Sequence, residues 1–428
     1  MMTSSLIKDG SKFSKLAEGL AGSDIIRLAW EINDRKKKGE EVFNMTIGDF
    51  NPDYFPIPEG MVEEIHKAYL QHKTNYPQAE GLPELKKAVS GFLKRRGGFD
   101  VDPCDIQIAS GARPLVYSIF QILVNEGETV VYGVPSWNNE HFVYLSRAKG
   151  VPINSGPEHN FLPTAASIQP YIHDAALIAL CSPLNPTGTV YRAEDLKEIC
   201  EIIVAENAQR KIQGRKPVYL MFDQIYWRLT YGSIHHVHPV GLVPEMKDYT
   251  IYVDGISKAF CATGVRLGWA FGPTEVMDKM KHFLGHVGAW APKPEQSGVA
   301  AFLDRVEDEA KYNDWVKDEL STRLFSLYHG IQSLSAMGLP VTVMAPEAAL
   351  YLSVRFPLFN KRFNNTTFQD TASIMQFLLN EAGLAVVAFR SFGVVGLEDW
   401  FRVSVGSCSK EEITTLLDRL KSALLQVK

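Results

Sequence analysis

The sequence has little that would staple it, anchor it or draw it to nucleic acid. Only five of its 428 residues are cysteine: Cys104, Cys181, Cys200, Cys261 and Cys408. They are scattered, odd in number and without metal-ligand spacing. That argues against a disulfide framework or a metal centre, and for free thiols in a reducing compartment. No apolar run approaches the ~20 residues that span a bilayer. The opening stretch, MMTSSLIKDGSKFSKL, lacks the apolar core of a secretory signal. A cytoplasmic protein with no membrane partner is therefore expected. Positive charge is not in excess either. Lys and Arg number 44 against 49 Asp and Glu, a formal net charge of −5 that offers nucleic acid no basic footprint. Internal repeats and low-complexity linkers are also missing.

What is present is a globular composition, 46% hydrophobic and 22% charged, able to bury a large core. The length exceeds one ordinary domain and suits two. Short apolar runs recur, each followed by a longer helical pattern. Strands are expected at 106–109, 129–132, 176–181, 218–222, 250–253 and 267–271. Their near-continuous hydrophobicity is that of strands buried on both faces. Helices are expected at 84–96, 113–124 and 194–208, and the alternation indicates an α/β architecture. From about residue 293 the texture changes. A long helical pattern over 295–334 leads into strands near 340–344, 349–355, 385–389 and 401–405, with helices near 368–382 and 410–426.

The chemistry-bearing residues sit where the expected strands end. Lys258, preceded by Ser257, follows the run TIYVDG, and Arg266 follows shortly after. A lysine at a buried strand end has a lowered pKa and an accessible neutral amine. It can form a Schiff base with an aldehyde cofactor, and the arginine can hold that cofactor's phosphate. Asp223 ends VYLMFD and can pair with a protonated ring nitrogen, although a strand-terminal aspartate also caps turns. Tyr226 lies three residues on. Asn185 sits in Ser-Pro-Leu-Asn-Pro-Thr-Gly, which is equally plain loop chemistry. Ser110-Gly111-Ala112-Arg113-Pro114 reads as a strand-to-helix turn whose free N–H groups would make an anion cup. Trp137 can stack on a ring or fill a core. Arg402, in the apolar run Trp-Phe-Arg-Val-Ser-Val, needs an anionic partner, either a substrate carboxylate or an internal acid. Gly48 can let the backbone approach the same carboxylate.

In order and spacing these stretches resemble the fold-type I pyridoxal-phosphate enzymes, specifically the class I/II aminotransferases of the aspartate aminotransferase family, over roughly 25–428. The resemblance implies an α/β fold with a mostly parallel seven-stranded sheet in a large cofactor-binding domain, 61–299. A smaller α+β domain would join 1–60 to 300–428. It implies pyridoxal 5′-phosphate as cofactor, with Lys258 as its Schiff-base lysine and Asp223 on the pyridine nitrogen. Tyr226 and Asn185 would face the phenolic oxygen and Trp137 would stack on the ring. Gly111, Ala112, Arg113, Ser257 and Arg266 would hold the phosphate. Arg402, beside Gly48, would bind the substrate α-carboxylate. Tyr76 would reach the phosphate of a neighbouring subunit, so a homodimer with shared sites is implied.

Four positions depart from the family pattern: Gly255 where a serine is common, Ala112 and Arg113 in the cup, the longer Gly48–Asp53 turn, and Ala348 in place of a glycine. The expected activity is transamination between an L-amino acid and a 2-oxo acid. Aspartate or glutamate is the first expectation for the donor, with Arg390, Arg228 or Lys293 meeting the second carboxylate. An aromatic amino acid aminotransferase, a carbon–sulfur or related lyase, and a non-enzymatic aminotransferase-like binding domain stand as alternatives.

Overall fold

The computed structural model describes residues 12–20 and 24–428. The stretch 1–11, read above for targeting, lies outside the described residues. Seven strands form the central sheet: β1 Ile106–Ala109, β2 Thr129–Val134, β3 Lys149–Asn154, β4 Ala175–Cys181, β5 Tyr219–Asp223, β6 Thr250–Gly255 and β7 Gly268–Phe271. Their order across the sheet is β1-β7-β6-β5-β4-β2-β3. Only β7 runs against its neighbours, pairing antiparallel with both β1 and β6. The other four pairs are parallel. The carboxyl ends of β1 to β6 therefore share one edge, where open α/β sheets bind ligands.

The inner strands are buried residue after residue, as the continuous apolar runs require. Strand β3 escaped the sequence reading. It is an edge strand, mostly solvent-facing, and carries Gly150 and Pro152, two poor strand formers. Helices such as Pro83–Gly97, Ala112–Leu123 and Ala193–Ile212 cover the sheet. The resulting core draws on residues from Met61 to Leu303 and adds Phe389, Val394 and Trp400.

A second core forms around a four-stranded sheet in the order Val387–Ala388, Trp400–Ser404, Tyr351–Arg355, Thr342–Val343. Helices Val306–Ala336, Thr371–Ala382 and Lys410–Leu424 pack on it, as does the segment from Phe43 to Phe55. It also takes Ile225, Tyr226, Leu229 and Tyr231 from the loop after β5. The two cores thus interlock at the loop that carries Asp223. Helices Thr371–Ala382 and Lys410–Leu424 each start at a reciprocal capping box, Asp370 with Ser373 and Ser409 with Glu412.

Two sequence expectations are corrected. The pattern over 295–334 is two helices, Lys293–Leu303 and Val306–Ala336. The chain breaks at Arg305, whose ψ of 70° is not helical and whose guanidinium reaches Glu63 and Glu64 of helix Glu59–Leu70. The strand expected at 385–389 is two short pieces, Leu384–Ala385 and Val387–Ala388, which pair with different strands. A 3₁₀ turn, Phe389–Phe392, follows them. Among the described residues no helix is long and apolar enough to cross a membrane.

Candidate active site

Strand β6 ends at Gly255, and a single helical turn, Ile256–Ala259, carries Ser257 and Lys258. The Lys258 Nζ donates to the Gly48 carbonyl at 2.6 Å. It lies 5.7 Å from the ring centre of Phe50 and 5.9 Å from that of Tyr226. Burial pulls its pKa from 10.5 down to about 8; Asp49 and Cys261 oppose the shift, and the charges of Arg402 and Arg113 add to it. A lysine so placed is a usable nucleophile and base near neutral pH.

The adjacent strand ends in Asp223. Its carboxylate accepts from the Ile225 N–H at 3.0 Å and has no ion-pair partner among the described residues. Burial raises its pKa to about 6, against the pull of that hydrogen bond. Asn185, in the loop after β4, accepts at 2.9 Å from Nη1 of Arg402. Arg402 is 2% exposed. Its Nη2 donates to the Thr46 carbonyl, and its Nε is buried without a partner. The guanidinium sits 4.8 Å from the ring centre of Tyr351 and 5.0 Å from that of Phe392. No internal carboxylate pairs with it among the described residues, so the internal-acid alternative is not what the fold supplies.

At the other end of the cluster, helix Ala112–Leu123 starts at Gly111. The Arg266 guanidinium packs against Gly111 and donates to the carbonyls of Thr263 at 2.6 Å and Ser110 at 3.1 Å. Arg113 lies 4.4 Å over the ring of Trp137, which follows β2. Desolvation lowers the Arg113 pKa, and the charge of Arg266 lowers it further. Two arginines near one helix N-terminus, neither paired with a carboxylate among the described residues, make a site for a doubly charged anion.

The departure at Gly255 has a steric cause. Gly255 faces Gly268 across β6 and β7. A Cβ on Gly255 would fall 2.8 Å from the Gly268 Cα and 2.9 Å from the Leu267 carbonyl. Both are backbone atoms, so neither can swing aside. Gly255→Ser should destabilise the fold by about 1–3 kcal/mol, read as a lower urea midpoint; an unchanged midpoint would mean that the two strands part freely. At Ala348 the fold needs no glycine. The left-handed residue is its neighbour Ala349, with φ of 60°.

Other sequence candidates stand apart from the cluster. Arg390 is exposed, and its charge acts on Asp370, the cap of helix Thr371–Ala382. Arg228 is committed to the fully buried Glu309 at 3.4 Å, which also holds Arg96 at 2.6 Å. Lys293 donates to Asn75 at 2.7 Å. Tyr76 is 82% exposed and meets Trp290 edge-on at 5.4 Å. The structure adds residues that the sequence reading passed over: Phe50, Phe392, Thr46 and above all Tyr351, whose hydroxyl lies 2.7 Å from that of Tyr226. No local signal marks Tyr351; strand register does. It lies on the strand beside that of Arg402, and because Ser353 is opposite Arg402, Tyr351 projects from the same face.

The cluster suits one kind of guest: an aldehyde for Lys258, a cationic ring atom for Asp223, a phosphate for Arg113 and Arg266, and a carboxylate for Arg402. The orphaned Arg402 Nε and the unpaired Asp223 fit pyridoxal phosphate and an amino acid. A family model described as aminotransferase class I and II matches residues 40–420. The chain is 27% identical to an aspartate aminotransferase of Geobacillus stearothermophilus, over 96% of this chain and 98% of that one. It is also 27% identical to a probable aspartate/prephenate aminotransferase of Rickettsia conorii, over 91% and 92%. The solved aspartate aminotransferase of Rhizobium meliloti shares the fold with a TM-score of 0.86 at 23% identity, covering 98% of this chain and all 100% of that one. An aromatic aminotransferase of Pyrococcus horikoshii gives 0.79 at 24% identity, over 92% and 98%.

Proposed function

The chain belongs to the aminotransferase class I and II family, and from that premise we propose how its own residues carry the reaction. It is a pyridoxal-phosphate-dependent enzyme that moves an amino group between an L-amino acid and a 2-oxo acid. One observation supports the assignment of roles best. Lys258, its pKa pulled down to about 8, feels the charge of the buried Arg402, and the partly buried Asp223 ends the neighbouring strand; among the described residues Arg402 has no carboxylate partner and Asp223 no cation.

When bound, pyridoxal phosphate supplies an aldehyde that condenses with amines and a ring that withdraws electrons from the substrate Cα. Lys258 would provide the amine that holds the aldehyde, and its Nζ, when neutral and free, would serve as the base for the Cα proton. Asp223 holds a proton on the ring nitrogen. Tyr226 and Asn185 hydrogen-bond toward the phenolic oxygen, and Trp137 covers one ring face. The Gly111 N–H is taken by the Ala109 carbonyl at 2.7 Å, so the Ala112 N–H beside it, together with Arg113, Ser257 and Arg266, would bind the phosphate, and Tyr76 would complete the cup of a partner subunit. The exposure of Tyr76 supports such a homodimer. Arg402 receives the α-carboxylate against Gly48. Free cysteines and the modest charge support a cytoplasmic location.

The donor we propose is aspartate or glutamate, as the names of the relatives suggest. Its second carboxylate would meet the positive field of Arg113 rather than Arg390, which stands exposed near Asp370. Arg113 is the better placed, since its charge acts on Lys258 itself. A panel of amino donors, followed by the absorbance change of the cofactor and by 2-oxo acid release, tests the reading. With cofactor saturating, Arg113→Ala should lower kcat/KM for aspartate by ~10-fold or more, Arg390→Ala should lower it less, and alanine should suffer less than aspartate in the first. Equal losses for the two donors would remove Arg113 from side-chain recognition. Turnover of no donor would sink the substrate assignment.

A further inference from the structure

Tyr351 occupies an unusual position. Its side chain is fully buried, its hydroxyl lies 2.7 Å from that of Tyr226, and its ring lies 4.8 Å from the Arg402 guanidinium. The two phenol rings meet edge-on at 5.6 Å. Arg402 also lies over a second ring, Phe392 at 5.0 Å. The guanidinium thus meets two aromatic rings while its Nε stays unsatisfied. Gly48 leaves the room that Tyr351 needs, since a Cβ there would fall 2.5 Å from the Tyr351 oxygen.

We infer that Tyr351 is a positioning residue that links the cofactor end of the site to the substrate end. The inference rests on the reading that Tyr226 faces the cofactor's phenolic oxygen and Arg402 the substrate carboxylate. A buried phenol that gives its proton away needs a donor behind it. Tyr351 is the hydroxyl hydrogen-bonded to Tyr226. With Tyr351 donating to Tyr226, and Tyr226 donating onward, the two hydroxyls form a chain in which each bond strengthens the next. The Tyr351 ring also fixes the plane of the Arg402 fork, on which two-pronged capture of a carboxylate depends. One side chain would therefore set both the donor strength of Tyr226 and the aim of Arg402.

The two roles separate by substitution. Tyr351→Phe removes the hydroxyl and keeps the ring, whereas Tyr351→Leu removes both. The readouts are the pH midpoint of the visible absorbance of the cofactor-loaded protein and the Kd of maleate, an unreactive dicarboxylate. A weaker donor at Tyr226 leaves more negative charge on the phenolic oxygen, so the proton on the Lys258 nitrogen is held to higher pH. Tyr351→Phe should raise the midpoint by about half a unit and leave maleate binding unchanged. Tyr351→Leu should also weaken maleate by roughly 3- to 30-fold. Tyr226→Phe is the control. If it moves the midpoint and Tyr351→Phe does not, the relay is overturned while the role of Tyr226 stands. If Tyr226→Phe moves nothing, the reading beneath the relay fails and takes the relay with it. Unchanged maleate affinity in a folded Tyr351→Leu protein overturns the role of the ring. Should that variant not fold, Tyr351→Phe decides the relay alone.

Discussion

Lys258→Ala is expected to lower transamination by at least ~10³-fold, because in the proposed roles one side chain is both anchor and base, and base catalysis alone contributes about 10²–10⁴-fold. Borohydride treatment of the wild-type protein should fix the cofactor's mass on the peptide that contains Lys258, and the variant should show no such adduct. Full retention of the adduct would place the Schiff base on another lysine. The pH dependence gives a second check. Burial lowers the pKa of Lys258 from 10.5 to about 8. Folded protein therefore binds fewer protons here than unfolded protein does between those two values, and stability rises with pH across that window. Below pH 8 the buried ammonium costs the cofactor-free fold up to about 3 kcal/mol. Lys258→Met should then raise the melting temperature of the cofactor-free protein at pH 7 and lose that advantage near pH 10.5. A melting temperature that falls equally at both pH values would mean that the Gly48 hydrogen bond outweighs burial.

Much of this site was legible in sequence because of where the parallel strands end. Lys258, Asp223, Asn185, Trp137 and Arg113 each follow an apolar run, and those runs become β6, β5, β4, β2 and β1. A run of buried residues that stops at a polar one marks the sheet's carboxyl edge without any tertiary information. Other features depend on tertiary contacts. Tyr351 and Phe392 come from the second core and reach Arg402 through strand register and a 3₁₀ turn. Strand β3 was hidden because an edge strand loses the apolar signal that marks its neighbours. The break at Arg305 depends on Glu63 and Glu64, far away in sequence. The helical period runs straight through it. Arg228 looked free for a substrate because nothing local announces Glu309.

Asp223→Asn is expected to separate activity from stability. The carboxylate lies partly buried with one backbone hydrogen bond and no cation among the described residues, and desolvation raises its pKa from 3.8 to about 6. For an acid shifted upward, the folded state retains its proton longer than the unfolded state. The penalty is absent below pH 3.8, grows as pH rises to 6, and is full above it. Two units correspond to about 3 kcal/mol, an upper figure for a group not wholly shielded from water. Asparagine keeps the shape and the acceptor for the Ile225 N–H but carries no charge. The cofactor-free variant should therefore melt higher than the wild type at pH 8, with no difference near pH 4. Catalysis should fall by ~10³-fold or more, because a neutral amide cannot hold a proton on the ring nitrogen and the ring loses its pull on Cα electrons. Binding the cofactor supplies the missing cation, so the wild type should gain more stability on loading than the variant gains. Equal gains would mean that Asp223 does not face the ring nitrogen. Higher stability in the cofactor-free form together with lower activity in the loaded form is the behaviour of a charge held in place for its ligand. A merely structural aspartate could give the first but neither the loss of activity nor the smaller gain on loading.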